Sequence, residues 1–176
     1  MKTYILILSR TFPAKHPRKG EHTNFDYQIL NAILREHNMS IGFPQYGVKL
    51  HTIRSNYALW SKRFKQIEAG KACLSIRYWT GIPYHSKQTE IVKLTKEDGI
   101  GLQKAYIERL QYIGRNDMNL SLRVVRDYWQ TEDPIVDGET MAKNDGLSSL
   151  RDWMPFFNGH NISKPLAIIH FTKFRY

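Results

Sequence analysis

The stretch Gly47-Val48-Lys49-Leu50-His51-Thr52-Ile53-Arg54, followed directly by Ser55-Asn56, sets an ammonium, a hydroxyl and a guanidinium within six residues. It stands where an extended pattern gives way to a helical one. Tyr57, Trp60, Phe64 and Ile67 recur at helical spacing, predicting a helix from about Asn56 to Ala69, with Gly70 placed for a left-handed C-cap. The other face of that helix carries Lys62, Arg63 and Lys65, so its apolar stripe reads as core packing. A turn between strand and helix can aim several donors into one pocket, which makes Lys49, Thr52 and Arg54 candidate site residues.

Working outward, Lys2 to Ser9 is a nearly continuous apolar run and predicts a buried strand. Pro13, Pro17 and Gly20 among Lys15, His16, Arg18, Lys19 and His22 then predict a basic loop, readable as a phosphate-contacting arm or as a solvated connection. Phe25, Ile29, Ala32 and Ile33 predict an amphipathic helix from Phe25 to His37, with Asn24 able to cap it. Beyond the central motif, Ala72 to Trp79 and Ser86 to Leu94 read as strands, joined through the turn chemistry of Thr80-Gly81-Ile82-Pro83. Leu102 to Ile113 reads as helical and Leu120 to Val125 as a strand. Near the C-terminus a short helix ends at Gly146, Ser148 or Ser149 caps a second one carrying Trp153, Phe156 and Phe157, and Leu166 to Phe171 forms a last strand after Pro165.

The chain has 176 residues and a formal charge of +10, which suits one domain and a polyanionic partner, because Lys and Arg that neutralise phosphates release condensed counterions. The charge is segregated. From Lys49 to Lys87 eight Lys or Arg face one acid, Glu68, whereas Gln88 to Leu147 holds eleven acids and eight bases, so the positive potential should peak around the motif. The single cysteine, Cys73, excludes an intrachain disulfide and a polycysteine zinc site and suits a cytoplasmic protein. The seven histidines lack metal-binding spacing, and Gly99-Ile100-Gly101 has Lys104 where a dinucleotide fingerprint needs glycine, so neither a metal nor another cofactor is expected. The apolar run Tyr4 to Leu8 is too short to cross a bilayer, so no membrane is expected either.

The pattern Lys49-x-x-Thr52-x-Arg54 resembles the signature of the ASCH family, small domains related to the PUA RNA-binding fold. A second likeness lies about ninety residues on: Asp145, Gly146, an apolar residue and Ser148, then a helix with aromatic residues and a closing strand. The resemblance implies an α+β fold, a PUA-like mixed β-barrel with peripheral helices formed by residues 1–176 as one domain, with an elaboration at about 96–138. It implies an RNA- or nucleotide-binding cleft lined by Lys49, His51, Thr52 and Arg54, beside the strand that carries Arg77 and Trp79. Trp79, Tyr78 and Tyr84 themselves read either as rings that stack on a base or as core and barrel-closing residues beside a hairpin. In ASCH members that hydrolyse the amide of 4-acetylcytidine, lysine and threonine act with a later glutamate. Carried over, these roles fall on Lys49, Thr52 and Asp145, with Arg54 available to an oxyanion or a phosphate. Asp145 is one methylene shorter than glutamate, and Glu90 and Glu97 are alternative acids.

Overall fold

A computed structural model describes residues 1–113, 117–125, 132–157 and 163–176. The fold is α+β, with its strands in two sheets. The first sheet has the order β1 (Lys2–Leu8), β3 (Ala72–Trp79), β4 (Gln88–Leu94). The second runs β2 (His51–Arg54), β8 (Leu166–His170), β5 (Gly101–Ile113), β6 (Asp117–Val125), β7 (Ile135–Asp137). Helices α1 (Phe25–Glu36), α2 (Tyr57–Glu68), α3 (Gly138–Asn144) and α4 (Leu150–Trp153) pack against them. One hydrophobic cluster joins the layers, including Leu6 and Leu74 of the first sheet, Ile53 and Ile168 of the second, and Ile29, Trp60, Met141 and Trp153 of the helices.

Local chemistry explains most boundaries. In α2, Trp60, Phe64 and Ile67 are buried on one stripe, Asn56 accepts a hydrogen bond from the Leu59 amide, and Gly70 turns the chain away at φ 69°. At α1 the residue is right and the mechanism differs: Asn24 occupies the N-cap position at φ 57°, but its side chain makes no capping hydrogen bond. The run at β1 is not buried throughout. Leu6 and Leu8 point inward while Ile5 is 42% exposed, as suits an edge strand with one covered face. β8 lies between β2 and β5, and all five of its residues are buried.

Two expectations are corrected. Residues 102–113, rich in helix formers, lie in strand β5, because β8 on one side and β6 on the other supply ladder partners that outweigh local propensity. The stretch 96–138 is therefore part of the sheet, contributing β5, β6 and β7, although its residues 114–116 and 126–131 lie outside the described set. A closed barrel is not seen. Among the described residues no ladder joins the two sheets; instead the Arg54 guanidinium on β2 donates to the Ile7 carbonyl of β1 at 2.8 Å. The basic loop is likewise tied down. His16 is buried and hydrogen-bonds the Asp152 carbonyl at 2.8 Å, while Arg18 pairs with Glu21 at 2.8 Å and Asp152 at 3.2 Å.

Candidate functional site

The route into the central motif is held by one buried amide. Asn31 on α1 donates to the carbonyls of Phe43 at 2.8 Å, Tyr46 at 2.9 Å and Gly47 at 3.1 Å, and accepts from the Phe43 amide. This satisfies a turn that has no ladder of its own and fixes where Lys49 emerges. The Lys49 amide then donates to Gln28 of α1, and the Leu50 amide to Asn144 of α3. Two helices distant in sequence thus grip the chain immediately before β2.

The Lys49 side chain is 1% exposed, and its ammonium donates to both the carboxylate and the backbone carbonyl of Asp145. It also sits 4.0 Å from the centroid of the Phe25 ring, a cation–π contact. The second carboxylate oxygen of Asp145 accepts from the Trp153 indole N–H at 2.8 Å. Burial pulls the Lys49 pKa below its ordinary value, Asp145 opposes that shift, and the nearby Arg54 charge adds to it. Asp145 closes α3, and Gly146 follows at φ 81°. The left-handed backbone favours glycine there, and a Cβ at position 146 would lie 2.0 Å from the Gln28 Oε1, forcing that side chain aside, and 3.1 Å from the Lys49 Cβ.

Alternation along β2 puts Thr52 and Arg54 on one face and His51 on the other. Arg54 donates to the Thr52 hydroxyl oxygen at 3.2 Å and to the Ile53 carbonyl at 3.0 Å, besides its bond to Ile7. The Thr52 oxygen is thereby held as an acceptor, leaving its own proton to be donated. Lys49, Thr52, Arg54 and Asp145 all line one cavity of about 340 Å³, a volume suited to a small organic guest. Phe25, Phe156, Phe157 and Tyr84 supply aromatic surface to the same cavity. Its walls come from β1, the start of α1, β2, the loop after β3, and the segment from Asp145 to Phe157.

Three expected ligand contacts lie elsewhere. His51 is fully buried, with Nε2 2.7 Å from the Tyr176 hydroxyl and its ring beside His170, because the β2 pleat turns it away from Thr52. Arg77 donates to the Ser75 hydroxyl at 2.7 Å and pairs with Glu90 at 3.3 Å, a cross-strand arrangement outside the cavity lining. Trp79 does not line the cavity; its ring packs against Tyr84 at 5.4 Å, and Tyr84 is the residue at the mouth. Tyr78 lies under Arg10 instead. Glu90 and Glu97 do not line the cavity either, and Asp145 is its acid.

Phe25 and Trp153 were legible only as helix residues. Neither carries a sequence signal for a site, because each joins through a long-range contact. Tyr84 is 86% exposed and sits at φ 66°, a conformation that strains a bulky non-glycine residue. Hydrogen bonds from Ser86 to Ile82 and from Gly81 to Ser86 tie the loop that presents it.

Chemically, the cavity offers aromatic faces, the hydroxyl-bearing residues Ser9, Thr52, Ser55 and Tyr84, one guanidinium and a neutralised lysine–aspartate pair. Among the described residues no group of three or more His, Cys, Asp or Glu side chains is arranged to hold a metal, and no helix is long and apolar enough to cross a membrane. Comparison of the chain with protein-family models, with curated proteins and with solved structures gives no match.

Proposed function

We propose that this chain is an ASCH-like, PUA-related domain whose cavity receives a nucleobase-sized part of an RNA or nucleotide. One observation carries the reading: Lys49 and Asp145, 96 residues apart, pair at the wall of a cavity that Thr52, Arg54 and four aromatic side chains also line. Aromatic rings stack on any base, Arg54 and Thr52 offer donors to a base edge or sugar, and the net positive charge favours a phosphate backbone.

Tyr84 is the most direct test, because its side chain is exposed to solvent. Stacking on a base is worth about 1–3 kcal/mol, so Tyr84→Ala should weaken binding of a short single-stranded RNA roughly 5- to 100-fold, and Tyr84→Trp should restore it. Fluorescence-anisotropy titrations across a salt series measure this. Wild-type protein that fails to bind at low salt, or an alanine variant that binds as well as wild type, would sink the reading.

A second reading, an amidohydrolase acting on an acylated nucleoside such as 4-acetylcytidine, is favoured by the Thr52 hydroxyl standing in the same cavity as a lysine and an acid. In this mechanism the Thr52 hydroxyl gives its proton to a base as it attacks the amide carbonyl, Arg54 stabilises the oxyanion, the C–N bond breaks as the leaving amine takes that proton, and water then hydrolyses the Thr52 ester to release the carboxylic acid. The Lys49 ammonium is directed to Asp145, and among the described residues its side-chain hydrogen bonds go to that residue alone. Lys49 must both turn from Asp145 toward Thr52 and lose a proton before it can serve as the base, which places this reading second. Thr52→Val keeps the side-chain shape and removes the nucleophile. Chromatography of acetylated nucleosides incubated with each protein should show turnover lost by at least 10³-fold in the variant, and turnover that persists excludes Thr52.

A further inference from the structure

A second cavity of about 420 Å³ adjoins the first. The two share Leu147, and consecutive residues divide between them: Phe25 and Asp145 line the first, Asn24 and Gly146 the second. Their characters differ. The second cavity is lined by Arg18, His22 and Lys143, together with Ser148, whose hydroxyl donates to the Asp152 carboxylate, and among the described residues no Asp or Glu lines it.

The cations are not equally available. Arg18 spends part of its charge on Glu21 and Asp152, whereas Lys143 is exposed and has no ion-pair partner among the described residues. One further feature raises the potential there. The Asn24 side chain makes no capping hydrogen bond, so the first amides of the 12-residue helix α1 keep their donors, and the helix contributes partial positive charge at that end. Asp26, in the same first turn, does not line the cavity. Lys143 stands in the last turn of α3, only two residues from Asp145, so the same backbone that sets the acid of the first cavity sets the cation of the second.

From this juxtaposition we infer that the second cavity is a phosphate subsite, and that the guest of the first cavity is a phosphate-bearing nucleotide or a residue of an RNA chain, not a free nucleoside. The inference rests on the base-binding reading of the first cavity. A base enclosed by Phe25, Phe156 and Phe157 has its sugar toward Leu147, the residue the two cavities share, and the attached phosphate then lies over Lys143, Arg18 and the open end of α1. Phosphate oxygens accept from all three, and the ammonium acts as a point charge that salt screens.

The experiment compares nucleosides with their 5′- and 3′-monophosphates and with a dinucleotide, by isothermal titration at low and moderate salt, using wild-type protein and Lys143→Glu. Lys143 is exposed, so its replacement leaves the fold intact, which circular dichroism checks. In wild type a monophosphate should bind at least tenfold more tightly than its nucleoside, with the advantage shrinking as salt rises. In Lys143→Glu that advantage should vanish while nucleoside affinity stays within about twofold. Equal binding of nucleoside and nucleotide by wild type, or a phosphate preference that survives Lys143→Glu, overturns the subsite and leaves the base-binding reading standing. If none of the four probe types binds, both fall.

Discussion

Lys49→Ala is expected to destabilise the protein by about 3–5 kcal/mol, the usual result of removing one partner from a buried ion pair. The Asp145 side chain is only 8% exposed, and without the ammonium it keeps the Trp153 indole as its one side-chain donor. Arg54 does not replace the lost partner, since its hydrogen bonds go to Thr52, Ile53 and Ile7. The cause is separable from lost packing by pairing Lys49→Met with Asp145→Asn. The double variant holds no buried charge at either position and should recover at least half of the loss seen in Lys49→Met alone. Urea denaturation followed by tryptophan fluorescence reads both, because Trp153 reports on the pair directly. A double variant no more stable than the single one would mean that the ammonium matters as a space-filler and not as a counter-ion.

The second large effect concerns pH. His51 and His170 face each other across β2 and β8, both fully buried, and neither His170 nitrogen has a hydrogen-bond partner among the described residues. Burial holds His170 down to about 2 and His51 well below its ordinary value. Below about pH 6.5 the unfolded chain therefore binds protons that the folded protein refuses, so this contribution is intact above that pH and is lost as pH falls toward the folded values. Two histidines that stay neutral in the fold give a loss of about 3 kcal/mol between pH 6.5 and 5, a large share of the stability of an ordinary domain. Urea midpoints at pH 7.5 and 5 should differ accordingly, and His170→Leu should lose about half of the difference. Equal midpoints at the two pH values, or a His170→Leu variant as acid-sensitive as wild type, would remove the histidines as the cause.

The same residues show how far the chain could be read without its fold. Wherever an element is stabilised by neighbours in sequence, its pattern was legible: the stripe Trp60, Phe64, Ile67 closed by Gly70, the β3–β4 hairpin, and the Gly146 stop before the Ser149-capped helix. Residues 102–113 are the exception: they pair with the adjacent β6 as well as, at Gly101–Ala105, with β8 more than sixty residues away, but their helix formers mask the strand pattern. Within the site, Lys49, Thr52, Arg54 and Asp145 could be named from spacing and resemblance, whereas His51 could not be separated from them until the pleat of β2 showed it turned to the opposite face.

What the sequence determined by itself was local: which segments carry a helical stripe, where glycine must end them, and which charged and hydroxyl-bearing side chains crowd one strand-to-helix turn. Tertiary structure alone decided that Asp145 lies against Lys49, that Phe25 and Trp153 complete their surroundings, and that Tyr84 rather than Trp79 reaches the mouth. The physical reason is one of range. Propensity, periodicity and capping act over a few residues, while a buried ammonium is stabilised only by groups that the whole fold brings within hydrogen-bond distance, and nothing in a linear chain specifies which distant groups those are.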